Sequence, residues 1–170
     1  MKALMCIVGA ALFGAALFVP AARAAADKPD GVIASGKHQT DGVTLEITEL
    51  QRTDDGFLKV SFRFRNANDK PVLLYGGGPA LASADAFKLM NTLNYVDPKT
   101  RLIYGMVRDD NGKGLPACSR VWKDGITAPA NGVTPTYWAK LAGPDDGVQK
   151  VTFYFKDVEP IESVELPAKK

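Results

Sequence analysis

Few residues in this chain have side chains suited to nucleophilic catalysis. His38 is the only histidine among 170 residues, and the two cysteines are Cys6 and Cys118. A Ser/His/Asp or Cys/His apparatus would therefore have to use His38. Because His38 follows Lys37 in a weak strand pattern near the start of the domain, we expect an exposed or edge-strand side chain. The sequence thus predicts that the protein is not an enzyme, and a hydrolase built on His38 ranks last among three functional hypotheses.

Cys118 is the second residue with reactive chemistry. A thiol can act as a redox sensor, a mixed-disulfide partner or a dimer bridge, and with Met90 or Met106 it could bind copper(I). In a strand, however, a cysteine more often serves as a small buried hydrophobic residue. Both roles remain open at this point. A periplasmic thiol- or metal-handling protein that uses Cys118 is the alternative hypothesis for function.

Three further patterns match known ligand sites only in part. A single histidine excludes the two-histidine ligand set of a blue-copper site. In residues 109–114, Lys113 stands where a calcium loop needs an oxygen ligand, so we expect a hairpin turn there. The glycines of residues 76–79 lack the Lys-Ser/Thr pair of a phosphate loop, and a flexible rim loop is the better interpretation. No cofactor is predicted.

Aromatic residues offer the best candidates for a binding surface. Tyr137 and Trp138 must point to opposite faces if both belong to one strand. If one of them is exposed, it could form an aromatic patch, and we take Trp122 and Trp138 as the candidate patch. The alternative is that these side chains pack in the core or are half covered.

Residues 1–26 have the features of a secretory signal peptide. Lys2 supplies a positive charge, residues 3–19 form an uncharged apolar run, and small residues at 22–26 offer two cleavage sites. A membrane anchor is the alternative, because the run approaches the minimum length of a spanning helix. We favour cleavage, which predicts a periplasmic or secreted protein with no stable membrane anchor afterwards.

Removal of residues 1–26 changes the composition of what remains. It takes two of the 21 basic side chains, Lys2 and Arg23, and leaves 19 against 19 acidic ones. A net charge of zero gives no reason to expect a nucleic-acid partner. Cys118 becomes the only cysteine, so the domain cannot form an internal disulfide even though export would permit one.

The elements that must position these residues are strands. The clearest one lies at residues 57–65, where Leu58, Val60, Phe62 and Phe64 alternate with Lys59, Ser61, Arg63 and Arg65. This two-residue period places one face in a core and the other in water. Residues 43–48 and 151–156 show the same alternation. The turn signal at residues 53–56 joins the first two patterns into a predicted hairpin over residues 43–65.

Short strands separated by turn signals continue to the end of the chain, and no sustained helical period occurs after residue 26. This pattern predicts an all-β fold, an immunoglobulin-like antiparallel β-sandwich of about seven to nine strands, with residues 27–170 as one domain. Residues 76–86 and 123–135 are predicted to be its long loops.

One part of the chain resembles a known class of domain. The segment YVDPKTRLIYGMVRDDNG at residues 95–112, with the later segments at 118–119, 137–140 and 151–155, is similar to small secreted bacterial domains of immunoglobulin-like fold and unknown function. The resemblance covers about residues 92–166. It implies a β-sandwich and an exported location, and it provides no catalytic residues to transfer. Together with the missing catalytic chemistry, it favours a non-enzymatic module that binds a protein or another component of the bacterial envelope.

Overall fold

The computed structural model describes residues 31–75, 92–108, 117–119 and 125–168. Within these ranges the chain is mostly strand, and none of it forms an α-helix long and apolar enough to cross a bilayer. The predictions made for residues 1–26, 76–86 and 109–114, and for Met90 and Trp122, lie outside the described residues. The described strands are β1 Ala34–Lys37, β2 Val43–Arg52, β3 Leu58–Asn66, β4 Val72–Tyr75, β5 Asn94–Val96, β6 Ile103–Tyr104, β7 Ile126–Ala128, β8 Gly132–Val133, β9 Tyr137–Leu141, β10 Lys150–Tyr154 and β11 Ile161–Glu165.

β3 is the centre of a five-stranded antiparallel sheet. One edge of β3 pairs with β2 along its whole length, and β2 in turn pairs with β1. The other edge pairs with β8 near Asn66 and with β9 from Leu58 to Phe62. Thr134 fills the gap between β8 and β9, because its N–H donates to the Phe64 carbonyl and its Oγ1 accepts from the Phe64 N–H at 3.0 Å. Both edges of β3 are therefore hydrogen-bonded.

Two smaller antiparallel sheets complete the described fold. One has the strand order β11–β10–β5–β6, and the other pairs β4 with β7. On each side of the fold, a segment next to a strand of the four-stranded sheet hydrogen-bonds to the five-stranded sheet. Near β1, the N–H of Glu159 donates to the carbonyl of Lys37 at 2.9 Å, and near β9 the N–H of Ala142 donates to the carbonyl of Gly105 at 2.8 Å. Neighbouring segments thus hydrogen-bond to both lateral strands of the five-stranded sheet, which limits their availability for pairing with other molecules.

Side chains from all three sheets meet in one hydrophobic core. The alternation predicted for β3 is confirmed, since Leu58, Val60, Phe62 and Phe64 are almost completely buried. Phe62 contacts Phe155 edge-on with ring centroids 5.0 Å apart. Tyr95 stacks on Tyr104 at 4.7 Å. The predicted all-β class is therefore correct, and the core is as rich in aromatic rings as the sequence indicates.

A β-bulge in β2 changes the phase of its alternation. Val43, Leu45 and Ile47 point inward, but Leu50 also packs against the core, so the inward positions shift from odd to even numbers. The register with β3 slips between Ile47 and Glu49, which accommodates the extra residue Thr48. The bulge keeps both apolar sets in the core and sets which polar residues of β2 face which residues of β3.

Three predictions made from the sequence are wrong in detail. The described residues form eleven strands, where about seven to nine were predicted, because several short segments find ladder partners. The predicted loop at residues 123–135 contains β7 and β8, because these short segments find ladder partners in β4 and at the end of β3. Glu46 and Ser61 were expected to face water on the polar sides of their strands, yet they are 2% and 6% exposed. Glu46 is held by the guanidiniums of two arginines on the same face, and the hydroxyl of Ser61 donates to a carboxylate there.

Gly36 provides a test of the packing between β1 and residues 158–161, where the chain enters β11. A methyl group at Gly36 would lie 2.7 Å from Cγ1 of Ile161 and 2.9 Å from Cγ1 of Val158. We expect Gly36→Ala to lower the free energy of unfolding by about 1–3 kcal/mol through overpacking, measured by urea denaturation. Gly105→Ala is the matched control, because nothing lies within 4 Å of its added methyl. A Gly36 variant as stable as the Gly105 variant would contradict this account of the junction.

Candidate functional site

The candidate site is the outer face of the five-stranded sheet, meaning the surface formed by side chains that alternate with the buried ones on β1, β2, β3, β8 and β9. These side chains point away from the core because successive residues of a strand point to opposite faces. The central rows of the face are set by the register, which places Glu46 opposite Arg63 and Ser61 opposite Trp138. The outer face comprises Ser35, Lys37, Thr44, Glu46, Glu49, Gln51, Lys59, Ser61, Arg63, Arg65, Val133, Trp138 and Lys140.

Two arginines share one carboxylate at the centre of the outer face. Nε of Arg63 donates to Oε2 of Glu46 at 2.7 Å, while Nε of Arg65 donates to Oε1 and its Nη2 to Oε2. The side chain of Glu46 is only 3% exposed, whereas those of Arg63 and Arg65 are 25% and 40% exposed. The carboxylate is thus enclosed by two guanidiniums that still reach solvent.

The protonation of Glu46 reflects two opposing effects. Burial by itself would raise the pKa of this carboxyl, but the hydrogen bonds and positive charges of Arg65 and Arg63 outweigh it, so the pKa lies below its usual value. The same contact raises the pKa of Arg65. At neutral pH the three side chains therefore carry two positive charges and one negative charge.

The rest of the outer face is also ordered by polar contacts. Oγ of Ser61 donates to Oε2 of Glu49 at 2.8 Å, and Nζ of Lys59 lies 3.6 Å from the same oxygen. Farther along, Lys140 pairs with Asp55 and lies over the ring of Phe57 at 4.8 Å from its centroid. These contacts hold long side chains in defined positions, which reduces the conformational entropy that binding would cost.

Trp138 projects from β9 onto the outer face and is 40% exposed. Its backbone is held on both sides, since it pairs with Ser61 of β3 and its N–H donates to Oγ of Ser119 at 2.9 Å. Tyr137 points the other way and packs near Phe62, with ring centroids 6.0 Å apart. The predicted opposition of Tyr137 and Trp138 is confirmed. The structure leaves Trp122, the other member of the candidate patch, undescribed.

Cys118 lies on the inner side of the sheet, behind the outer face. Its backbone bridges to Ala139 of β9, and the residue belongs to the hydrophobic core with 8% exposure. Its position is that of a small packed side chain. Within the described ranges, no group of three or more histidine, cysteine, aspartate or glutamate side chains is arranged to hold a metal ion.

His38 is at the end of β1, as an edge-strand residue, but it is 9% exposed and therefore buried. The N–H of Thr40 donates to Nδ1, so the proton of the neutral ring is on Nε2, which lies 3.0 Å from the hydroxyl of Tyr75. That hydroxyl donates to the carbonyl of Lys156. His38 thus links three segments through one chain of hydrogen bonds, and this structural role replaces the exposed position expected from the sequence.

A shallow groove of 420 Å³ lies between residues 146–150 and 165–168. Arg52 lines it, and its guanidinium donates to the carbonyls of Val148 and Pro167 at 2.9 Å each. These bonds tie the turn before β10 to the segment after β11. Arg52 thus has a structural use in joining these two segments.

The Glu46–Arg63–Arg65 cluster was not identified from the sequence. The sequence contained one relevant signal, namely the change of apolar phase between Ile47 and Leu50, which indicates a bulge in β2 but does not give its register with β3. Comparison of the chain with protein-family models, with curated proteins and with solved structures finds no match.

Replacement of Glu46 tests whether the cluster contributes to stability. Glu46→Gln keeps the shape but removes the charge between the two arginines, so we expect a loss of about 1–2 kcal/mol in the free energy of unfolding at pH 7. The matched control is Glu49→Gln, whose carboxylate is about half exposed; it should change stability by about 0.5 kcal/mol or less. Equal effects of the two substitutions would contradict a special role for Glu46.

The stability contribution of Glu46 also has a defined pH dependence. Because its pKa is lower in the folded state than in the unfolded one, its contribution is fully present above the unfolded-state value. It is lost as the pH falls through the folded-state pKa. The difference between wild type and Glu46→Gln in urea denaturation should therefore shrink between neutral and strongly acidic pH.

His38 should make stability sensitive to mild acid. Burial lowers the pKa of His38, and the nearby Asp157 carboxylate offsets this only in part, so the unfolded chain binds a proton more readily than the folded one. Stability should fall as the pH drops below about 6.5, the usual value for histidine. Urea denaturation at pH 7 and pH 5 should show this loss in wild type and a smaller one in His38→Gln. An equal loss in both would assign the acid sensitivity to other groups.

Proposed function

We propose that the protein is an exported, non-enzymatic binding module of the bacterial envelope and that the outer face of the five-stranded sheet is its recognition surface. The observation that carries the proposal is the combination of Trp138 with the Glu46–Arg63–Arg65 cluster on one sheet face. Exposed tryptophan and arginine are the residue types most enriched at energetically important positions of protein interfaces.

The order of the outer face supports a binding role. Its backbone is fixed by ladder pairing of β3 on both edges, and its long side chains are held by ion pairs and hydrogen bonds. A surface that is already ordered loses little conformational entropy on association. The inward side chains of the same sheet are buried in the core, so only the outer face of this sheet can contact a partner.

The location and the finer fold class are part of the same proposal. The apolar, cleavable pattern of residues 1–26 supports export, and the antiparallel sheets around one core are consistent with an immunoglobulin-like sandwich. The partner is an envelope protein or another envelope component. The buried position of Cys118 favours this role over thiol or metal handling, since reactive thiols are accessible.

Affinity capture with matched variants tests the proposal. Immobilised protein comprising residues 27–170 is exposed to envelope extract, and retained components are quantified by mass spectrometry. We expect Trp138→Ala to reduce retention of the specific partner by about tenfold or more, the effect of losing an aromatic hot spot. Tyr154→Ala is the control, because Tyr154 is also 40% exposed but lies on β10 of the other large sheet.

The control decides between the two sheets. If Tyr154→Ala reduces retention and Trp138→Ala does not, the binding surface lies on the four-stranded sheet and the proposed surface is wrong. Retention of no component above the level of a blank matrix would contradict the binding role altogether. Circular dichroism of both variants checks that they keep the strand content of the wild type.

A further inference from the structure

The arginines of the outer face have binding capacity that Glu46 does not use. Glu46 accepts from Nε of both arginines and from Nη2 of Arg65. Among the described residues, both Nη groups of Arg63 and Nη1 of Arg65 have no hydrogen-bond partner. The side chains of both arginines are also partly exposed. A guanidinium binds carboxylate oxygens through two parallel hydrogen bonds, so the free groups suit an anionic ligand.

Glu46 orients the two guanidiniums before any ligand arrives. Arginine side chains carry substantial rotamer entropy, and much of it is already lost when both Nε atoms are held by one buried carboxylate. The cluster keeps one net positive charge, because two cations surround one anion. This combination of fixed geometry and excess positive charge is what an anion site requires, and Glu46 acts in it as a positioning residue.

The surroundings indicate the chemical class of the ligand. Lys37 and Arg65 lie in the same row of the sheet, each opposite Thr44, and Val133 is the next residue of that row. Val133 and Trp138 are exposed apolar side chains beyond the edge of β3 that faces away from Glu46, Val133 in the row of Arg65 and Trp138 in the row of Ser61. Besides Glu46, the carboxylate among the outer-face residues is that of Glu49, and it is engaged by Ser61 and Lys59. A ligand that matches this surface has negative and apolar groups close together.

We propose that Arg63 and Arg65 form a binding site for a carboxylate of an acidic, partly apolar segment of a partner protein. The inference deepens the binding role proposed above for the outer face and rests on it. Charge complementarity selects the acidic group, and the flanking Val133 and Trp138 select apolar neighbours of that group over a bare inorganic anion. The carboxylate accepts hydrogen bonds from the outward Nη groups while Glu46 retains both Nε contacts.

Nuclear magnetic resonance of the wild-type protein tests the site directly. The arginine Nε–H signals and the backbone amides are followed while a capped peptide of four glutamates and one leucine is added at physiological salt. We expect saturable shifts of the Arg63 and Arg65 signals and of the Trp138 amide. A capped peptide in which glutamine replaces each glutamate should cause no such shifts. Absence of saturable shifts with the acidic peptide would overturn the inference.

Two variants separate guanidinium geometry from charge. In the double variant R63K/R65K both charges remain and can still pair with Glu46, but the planar fork is lost, so the peptide should bind about tenfold more weakly or worse. The control is Lys150→Gln, which removes one exposed charge from β10 of the four-stranded sheet and should change affinity by about twofold or less. A larger effect of Lys150→Gln than of the lysine double variant would show that general charge attraction, not this site, binds the peptide.

Inorganic phosphate provides the third comparison. If phosphate shifts the Arg63 and Arg65 signals at the same or lower concentration than the peptide, the site selects a phosphate group and the proposed ligand class is wrong. The inference and the proposed function can fail separately. If the peptide does not bind but Trp138→Ala still reduces capture from envelope extract, only the carboxylate site is wrong. If Trp138→Ala does not change capture, the proposed binding surface is contradicted even if the peptide binds.

Discussion

The structure depends on β3 being hydrogen-bonded along both edges while one of its faces is completely buried. Its inward side chains, from Leu58 to Phe64, contribute two aromatic rings to the centre of the core. β2 covers one edge, and β8, Thr134 and β9 share the other. Because β3 cannot move without breaking both ladders, the backbone positions of its outward residues are fixed as firmly as those of its inward ones. The positions of Arg63 and Arg65 follow from the burial of their neighbours.

The β-bulge at Thr48 connects this core requirement to the candidate site. The apolar residues before the bulge and those after it are out of phase by one position, and the bulge allows both sets to point inward. Its consequence on the other face is that Glu46 lies directly opposite Arg63, within reach of Arg65 as well. A burial constraint on one side of the sheet thus determines an electrostatic cluster on the other, and no separate driving force is needed to assemble it.

The lateral edges of the large sheet are closed by other means. At β1 the buried His38 accepts from Thr40 and is linked through the Tyr75 hydroxyl to Lys156, which ties the edge strand to β4 and to the turn before Val158. At β9 the segments around Gly105 and Cys118 supply backbone hydrogen bonds. The only histidine and a cysteine, which have the greatest chemical reactivity in the sequence, thus serve packing and edge closure. This use explains why neither is presented to solvent.

Local patterns in the sequence determined the all-β class, the hairpin of β2 and β3, and the inward and outward faces of β3, because alternation and turn residues depend only on near neighbours. The same patterns predicted that Tyr137 and Trp138 would oppose each other. Only the tertiary structure decided that residues 126–128 and 132–133 become strands, since pairing with β4 and β3 supplies their hydrogen bonds. It also decided that Glu46 is buried between Arg63 and Arg65. That contact joins residues from two strands through a shifted register, and register is set by packing of the whole sheet, which no local pattern contains.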